Sequence, residues 1–228
     1  MLRQAVWRRG RDQNGRRPET GSRRFGLHSR LAAQAAGRLT VARAGSVTEN
    51  PVSGERVTFL QTAAETGGEL LQWEHLLRPR ARVPADHVHF VQEERFEILE
   101  GTARVRIGGT MRDLGTAETL VIPPGTPHGL RNETDEPLRV LAELRPAMRT
   151  QVYFETVYGL ARDGKVGRNG LPSLLRLAVI LHDLGEEVGG PGIPRSLQQA
   201  LVALFAAVGR RLGYRARYAE YSGTEPEL

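Results

Sequence analysis

Three histidines and a carboxylate in two short stretches are the residues with the clearest capacity for chemistry. His87 and His89 stand two apart in Asp86-His87-Val88-His89-Phe90, and Glu94 follows five residues later. On a β-strand alternate side chains point to one face, so both imidazoles can reach one point. His128 comes from a second stretch, Pro123-Pro124-Gly125-Thr126-Pro127-His128-Gly129-Leu130-Arg131-Asn132. Three neutral imidazoles and one carboxylate suit a divalent ion: iron, manganese, nickel, copper or zinc. Glu93 competes with Glu94 for the carboxylate role. Strand alternation sets Glu94 on one face with Phe96 and Ile98, which suits an inward face, and turns Glu93 and Glu97 outward.

Those residues must be carried by strands. Arg56 to Thr62, Glu69 to Leu77, Arg95 to Leu99, Ala103 to Ile107, Met111 to Leu114, Thr119 to Ile122, Gly129 to Asn132 and Leu138 to Leu144 read as strands. Glu49 to Glu55 reads as a turn. Glu100-Gly101 reads as a tight turn, and Gly108-Gly109-Thr110 closes a hairpin. Many short strands at regular spacing predict an all-β sandwich or barrel.

The two stretches resemble the two motifs of the cupin superfamily. In the first, His87, His89, Glu94 and Gly101 stand where the family has its histidines, acid and closing glycine; Ala81 replaces the leading glycine. In the second, Pro123, Gly125, His128 and Asn132 are in register, and Ala117 replaces the leading glycine. The spacing back from Gly101 selects Glu94 over Glu93. The resemblance covers roughly residues 45 to 146. It implies a double-stranded β-helix, or jelly-roll, barrel with metal ligands His87, His89, Glu94 and His128. It also implies a homodimer and, in quercetinase-like members, a metal-dependent dioxygenase. A non-enzymatic small-ligand module and a sugar isomerase or epimerase are the alternatives, because four ligands name a site and not a reaction. Trp73, Phe90 and Phe96 are candidates for an apolar substrate wall, with ordinary core packing as the competing reading. Asn132 is expected to fix a turn. His75 reads as a surface or satisfied core residue, and Glu143 as a buried base or a solvent-facing acid.

After Pro146 the apolar period becomes helical. Tyr153, Phe154, Val157, Tyr158 and Ala161 share a helix face, a second helix runs from Leu171 to about Val188, and a third is capped by Ser196. These helices can cover the barrel, pair two subunits or lie on a membrane surface. His182-Asp183 looks like part of an HD-type phosphohydrolase site, but no histidine lies between His128 and His182 and no aspartate follows Asp183 to complete one. The expected organisation is an Arg-rich disordered tail at residues 1–40, a barrel at 41–148 and a C-terminal α-helical extension at 149–228.

Charge supports that division. The net charge is +6, yet residues 1–43 hold eleven arginines against Asp12 and Glu19, so the remainder is acidic. Nucleic-acid binding by the folded part is therefore not expected. There is no cysteine, which fits a reducing, cytoplasmic setting. No apolar run is long enough for a transmembrane span. A small organic molecule is the expected partner.

Overall fold

The computed structural model describes residues 42–185 and 187–222. The tail expected at residues 1–40 lies outside the described residues. The strands are β1 Val47–Asn50, β2 Glu55–Gln61, β3 Leu71–Leu77, β4 Val88–His89, β5 Glu93–Glu100, β6 Ala103–Ile107, β7 Thr110–Leu114, β8 Thr119–Ile122, β9 His128–Arg131, β10 Leu138–Arg145 and β11 Val188–Gly189. Among the described residues four helices accompany them: α1 Thr150–Arg162, α2 Leu174–Leu184, α3 Arg195–Arg211 and the short α4 Ala219–Ser222.

The strands build the expected double-stranded β-helix. A six-stranded sheet runs β1-β2-β3-β10-β5-β8, and a three-stranded sheet runs β7-β6-β9. The strand β4 pairs with β11, and bridges at Arg82–Arg131 and His87–His128 tie its approach to β9. The hydrogen bonding does not close into one continuous barrel. Alternation explains the core: β3 turns Leu71, Trp73, His75 and Leu77 inward, and β10 turns in Leu138, Val140, Ala142 and Leu144. Two of these eight are not aliphatic, and both matter below.

The helices join the same core. Most of α1 is buried, and Phe154, Val157, Tyr158 and Leu160 share one apolar cluster with Ile180 and Leu184 of α2. Packing against β1 therefore accounts for α1, and α2 lies between α1 and α3 while sending Ile180 and Leu184 into the shared cluster. The helix α3 packs on α2 but leaves Leu197, Leu201, Leu204 and Leu212 exposed in the single chain. No helix among the described residues is long and apolar enough to cross a membrane.

Three local readings change. A strand, β1, precedes the turn read at Glu49 to Glu55, paired with β2 from Val47–Thr58 to Asn50–Glu55. The second helix is shorter at both ends. Pro172 disfavours helical geometry at Leu171, so the helix starts at Leu174 after Ser173. It stops at Gly185, whose φ of 68° is left-handed, and the chain then extends to pair Val188 with His89. The third helix begins after Pro194, so Ser196 lies within it rather than at its cap.

A buried acid beside the β4–β11 pair makes one pH prediction. Glu187 is 1% exposed and accepts a hydrogen bond from the Arg149 backbone N–H at 2.8 Å. Burial pushes its carboxyl up to about 8. Between roughly pH 4.5 and 8 the unfolded chain releases this proton while the folded chain holds it, so stability falls as pH rises. Glu187→Gln is expected to raise thermal stability at pH 8.5 relative to wild type by the equivalent of about 1–2 kcal/mol, with little gain at pH 5. Melting curves at the two pH values check the sign.

Candidate metal centre

Backbone pairing sets the histidines beside one another. The His87 N–H donates to the His128 carbonyl at 2.8 Å, and the His128 N–H donates back at 2.9 Å. His89 follows two residues along from His87. Glu94 comes from β5, whose alternation turns Glu94, Phe96 and Ile98 inward and leaves Glu93 exposed. One ligand atom from each of His87, His89, Glu94 and His128 lies within 4.8 Å of the others. His89, Glu94 and His128 are buried, and His87 is half-buried.

Tautomers follow from the hydrogen bonds. Nδ1 of His87 faces the Ala85 carbonyl at 3.1 Å, and Nδ1 of His128 faces the Thr126 carbonyl at 2.9 Å. Nδ1 of His89 faces Gln92 Oε1 at 3.0 Å. Each partner is an acceptor, so each Nδ1 carries the proton and each Nε2 keeps its lone pair. Glu94 Oε2 stands 2.6 Å from His128 Nε2 and 3.8 Å from His89 Nε2. The first contact is out of line, and both of its atoms are buried without a hydrogen-bond partner. Converging lone pairs with no proton between them fit a cation better than one another.

Electrostatics agree. Burial, then the neighbouring rings of His128 and His89, push the His87 imidazole down to about 3, so it is neutral at pH 7. Burial alone would raise the Glu94 carboxyl, but the His128 contact and the other imidazoles hold it down to about 2. Burial also lowers His89, whereas at His128 burial is outweighed by the Glu94 contact, which raises the ring. A cation would take the place of that His128 proton, and the site then offers three nitrogen donors and one anionic oxygen, a donor set for a divalent first-row ion.

Gln92 was not marked by the sequence reading, yet it supports the centre. It is fully buried, and its Nε2 donates toward the Pro146 carbonyl at 3.0 Å, the Ala147 carbonyl at 3.3 Å and Thr150 Oγ1 at 3.3 Å. Those acceptors fix the amide so that Oε1 must face His89. Gln92→Leu is expected to lower metal affinity about 10–100-fold with all four ligands present. Competition with a chromophoric zinc chelator measures it.

A cavity of about 280 Å³ opens on the cluster. The strands contribute Trp73, His75, Phe96 and Leu144; α1 and α2 contribute Phe154, Val157, Leu181 and Leu184. Trp73 and Phe96 thus stand where an apolar wall was expected. Phe90 does not: it lines a second cavity with Arg195 and Gln198, and the Arg195 guanidinium stacks 4.7 Å from its ring. Among the described residues, no arginine or lysine lines the central cavity.

The remaining candidates resolve separately. Asn132 donates to the Leu77, Arg78 and Glu136 carbonyls and accepts from Thr134, so it fixes a turn. Glu143 binds Gln72 at 2.8 Å and lies near Arg95 and Arg145, outside the cavity. His182 meets Arg210, and Asp183 pairs with Arg217 at 2.8 Å. His75 is buried at the cavity wall rather than on the surface.

Residues 73–142 match the family model described as cupin domain. An uncharacterised protein of Methanocaldococcus jannaschii is 34% identical over 55 residues, 24% of this chain and 44% of that one. The match therefore spans less than half the length of that relative. Among solved structures, an RmlC-like cupin from Shewanella frigidimarina is 18% identical, covering 47% of this chain and 89% of that one at a TM-score of 0.41. KdgF from a Halomonas species is 18% identical, covering 46% and 91% at 0.40. A Silicibacter pomeroyi cupin described as a sugar phosphate isomerase is 20% identical, covering 47% and 69% at 0.38.

Proposed function

We propose that this chain, which carries a cupin domain at residues 73–142, binds one divalent metal ion through His87, His89, Glu94 and His128 and acts on a small, mostly apolar organic molecule held in the adjoining cavity. The observation that carries the reading is the convergence of four ligand atoms, protons directed away, at the wall of an apolar cavity. Four protein ligands leave one or two positions open on a six-coordinate ion. Bound there, the metal would polarise a chelating oxygen anion and bring oxygen to it, which makes a dioxygenase the leading reaction.

The chain's own residues define what such a substrate meets. His87, His89 and His128 hold neutral donor nitrogens at fixed orientation, and Glu94 supplies the single negative charge. Trp73, Phe96, Phe154 and Leu181 exclude water from the bound molecule's body. Among the described residues no arginine or lysine lines the cavity, which favours an uncharged ligand over a phosphorylated sugar. This sets the chain apart from what the Silicibacter protein is described as doing. A non-catalytic binding role keeps a place beside the enzyme, since a largely apolar cavity serves retention as well as turnover. The homodimer remains part of the proposal: α3 offers exposed leucines that a second copy could cover.

Oxygen uptake separates the two roles. The full chain loaded with iron(II), manganese(II), nickel(II) or copper(II) is expected to consume oxygen with at least one flavonol, β-diketone or catechol. Uptake should vanish in Glu94→Ala. Binding of the same compounds, read as a thermal shift, with no uptake under any of the four metals contradicts the dioxygenase and leaves the binding module.

A further inference from the structure

The cavity has a second polar patch, built from residues the metal centre does not use. Glu55 opens β2 and is 2% exposed. Its Oε2 accepts from Ser53 Oγ at 2.5 Å, and its Oε1 accepts from the Tyr158 hydroxyl of α1 at 3.0 Å. His75 Nε2, from β3, stands 3.2 Å from the same Oε1, off the line of a hydrogen bond. Glu55, His75 and Tyr158 all line the cavity that reaches the metal ligands. Burying a carboxylate and an imidazole among aromatic side chains is unfavourable unless their polar atoms are used.

The hydrogen-bond bookkeeping gives the patch a direction. A lone pair on Nε2 would face the Glu55 oxygen 3.2 Å away, so the neutral ring places its hydrogen on Nε2, although no hydrogen bond forms in this geometry. The other ring nitrogen of His75, Nδ1, is then a bare acceptor. No hydrogen bond joins it to a described residue, while the ring it belongs to lines the cavity. A carboxylate behind an imidazole is the arrangement that orients a histidine toward a hydroxyl. The Phe154 ring, edge-on with its centroid 6.2 Å from that of His75, keeps the surroundings apolar, so water competes poorly with a hydrogen bond there.

We propose that Glu55, His75 and Tyr158 form a second subsite that binds a neutral hydroxyl of the ligand, phenolic or alcoholic, with His75 Nδ1 as the acceptor and Glu55 and Tyr158 as positioning residues. The class of molecule is thus a small aromatic or alicyclic compound bearing a hydroxyl away from its metal-binding oxygen. An anionic group is disfavoured there, because the Glu55 carboxylate stands beside it and no arginine or lysine among the described residues lines the cavity. Only the metal-binding end of this ligand rests on the function proposed above; the hydroxyl subsite does not.

The test uses probes without a chelating group. Fluorine NMR titration of the full chain with 4-fluorophenol, fluorobenzene and 4-fluoroanisole is run zinc-loaded and again after chelator treatment. The phenol is expected to bind about tenfold tighter than fluorobenzene in both states. The methyl ether, which cannot donate, should bind no better than fluorobenzene. His75→Phe should remove the phenol's advantage while fluorobenzene binding and zinc content stay unchanged. Equal affinity for phenol and fluorobenzene in wild type overturns the subsite. So does an advantage shared by the ether, and so does one that survives His75→Phe. A preference present only with zinc places the phenol oxygen on the metal and also overturns it. Zinc well below one per chain, with the phenol preference intact, instead contradicts the metal centre and leaves this subsite standing. The anisole comparison needs no variant, so a misfolded His75→Phe does not remove the test.

Discussion

A chain with both His87→Ala and His128→Ala should lose metal affinity by well over a hundredfold and come through purification with almost none bound. Removing a residue that merely supports a ligand already costs about 10–100-fold, and here two of four ligands go. The remaining His89 and Glu94 cannot enclose an ion. Folding should survive, because the pairing between the two stretches runs through backbone groups: the His87 and His128 N–H groups each bond the other's carbonyl. The alanines remove rings, not that bridge. Plasma mass spectrometry of wild type and variant grown in one metal-supplemented medium measures the difference, and circular dichroism checks the fold. Metal retained equally by both proteins would mean that the ion sits elsewhere.

The second large effect falls on stability. Gly101→Ala is expected to destabilise the chain by about 3 kcal/mol or more. Gly101 turns the chain from β5 to β6 at a φ of 85°, a left-handed conformation that costs an L-residue roughly 1–2 kcal/mol. A Cβ there would also stand 2.6 Å from the Pro137 carbonyl oxygen and 3.4 Å from Leu138 Cα. Those are backbone atoms at the start of β10, so relief requires moving a central strand whose Leu138 is fully buried. Gly125 is the control. Its φ is 82° and a Cβ would meet nothing within 4 Å, so Gly125→Ala should cost only the conformational term, about 1–2 kcal/mol. Urea unfolding of both variants gives the comparison. Equal costs would show that the contact with Pro137 is relieved cheaply.

Gly101 also shows what a sequence can carry. A glycine at a tight turn is visible because no other residue tolerates that backbone so well. Period-two alternation likewise made Glu94, Phe96 and Ile98 one face and excluded Glu93, since side-chain direction on a strand is a local property. His87 and His89 were legible for the same reason. Gln92 was not: its role depends on acceptors at Pro146, Ala147 and Thr150, more than fifty residues away. The Glu55–His75–Tyr158 patch was hidden similarly. A histidine on β3 gains its meaning from a glutamate one strand over and a tyrosine on α1, and nothing in the spacing of Glu55 and Tyr158 joins them. Phe90 sits in the first motif beside His89, so proximity suggested the cavity. Pairing of β4 with β11 and the Arg195 contact hold it in the neighbouring one instead. The apolar faces of α1 and α2 told that they are buried, not against what, and only packing turned them into a cavity wall.

X-ray absorption at the metal edge tests the central claim most directly. The full chain, loaded with one zinc equivalent, is expected to show a first shell of nitrogen and oxygen alone at about 2.0–2.2 Å, with outer-shell scattering from three imidazoles. That pattern would match His87, His89 and His128 with Glu94. A spectrum with one imidazole or none, or zinc that washes off at sub-stoichiometric occupancy, would contradict the four-ligand centre on which the proposed function rests.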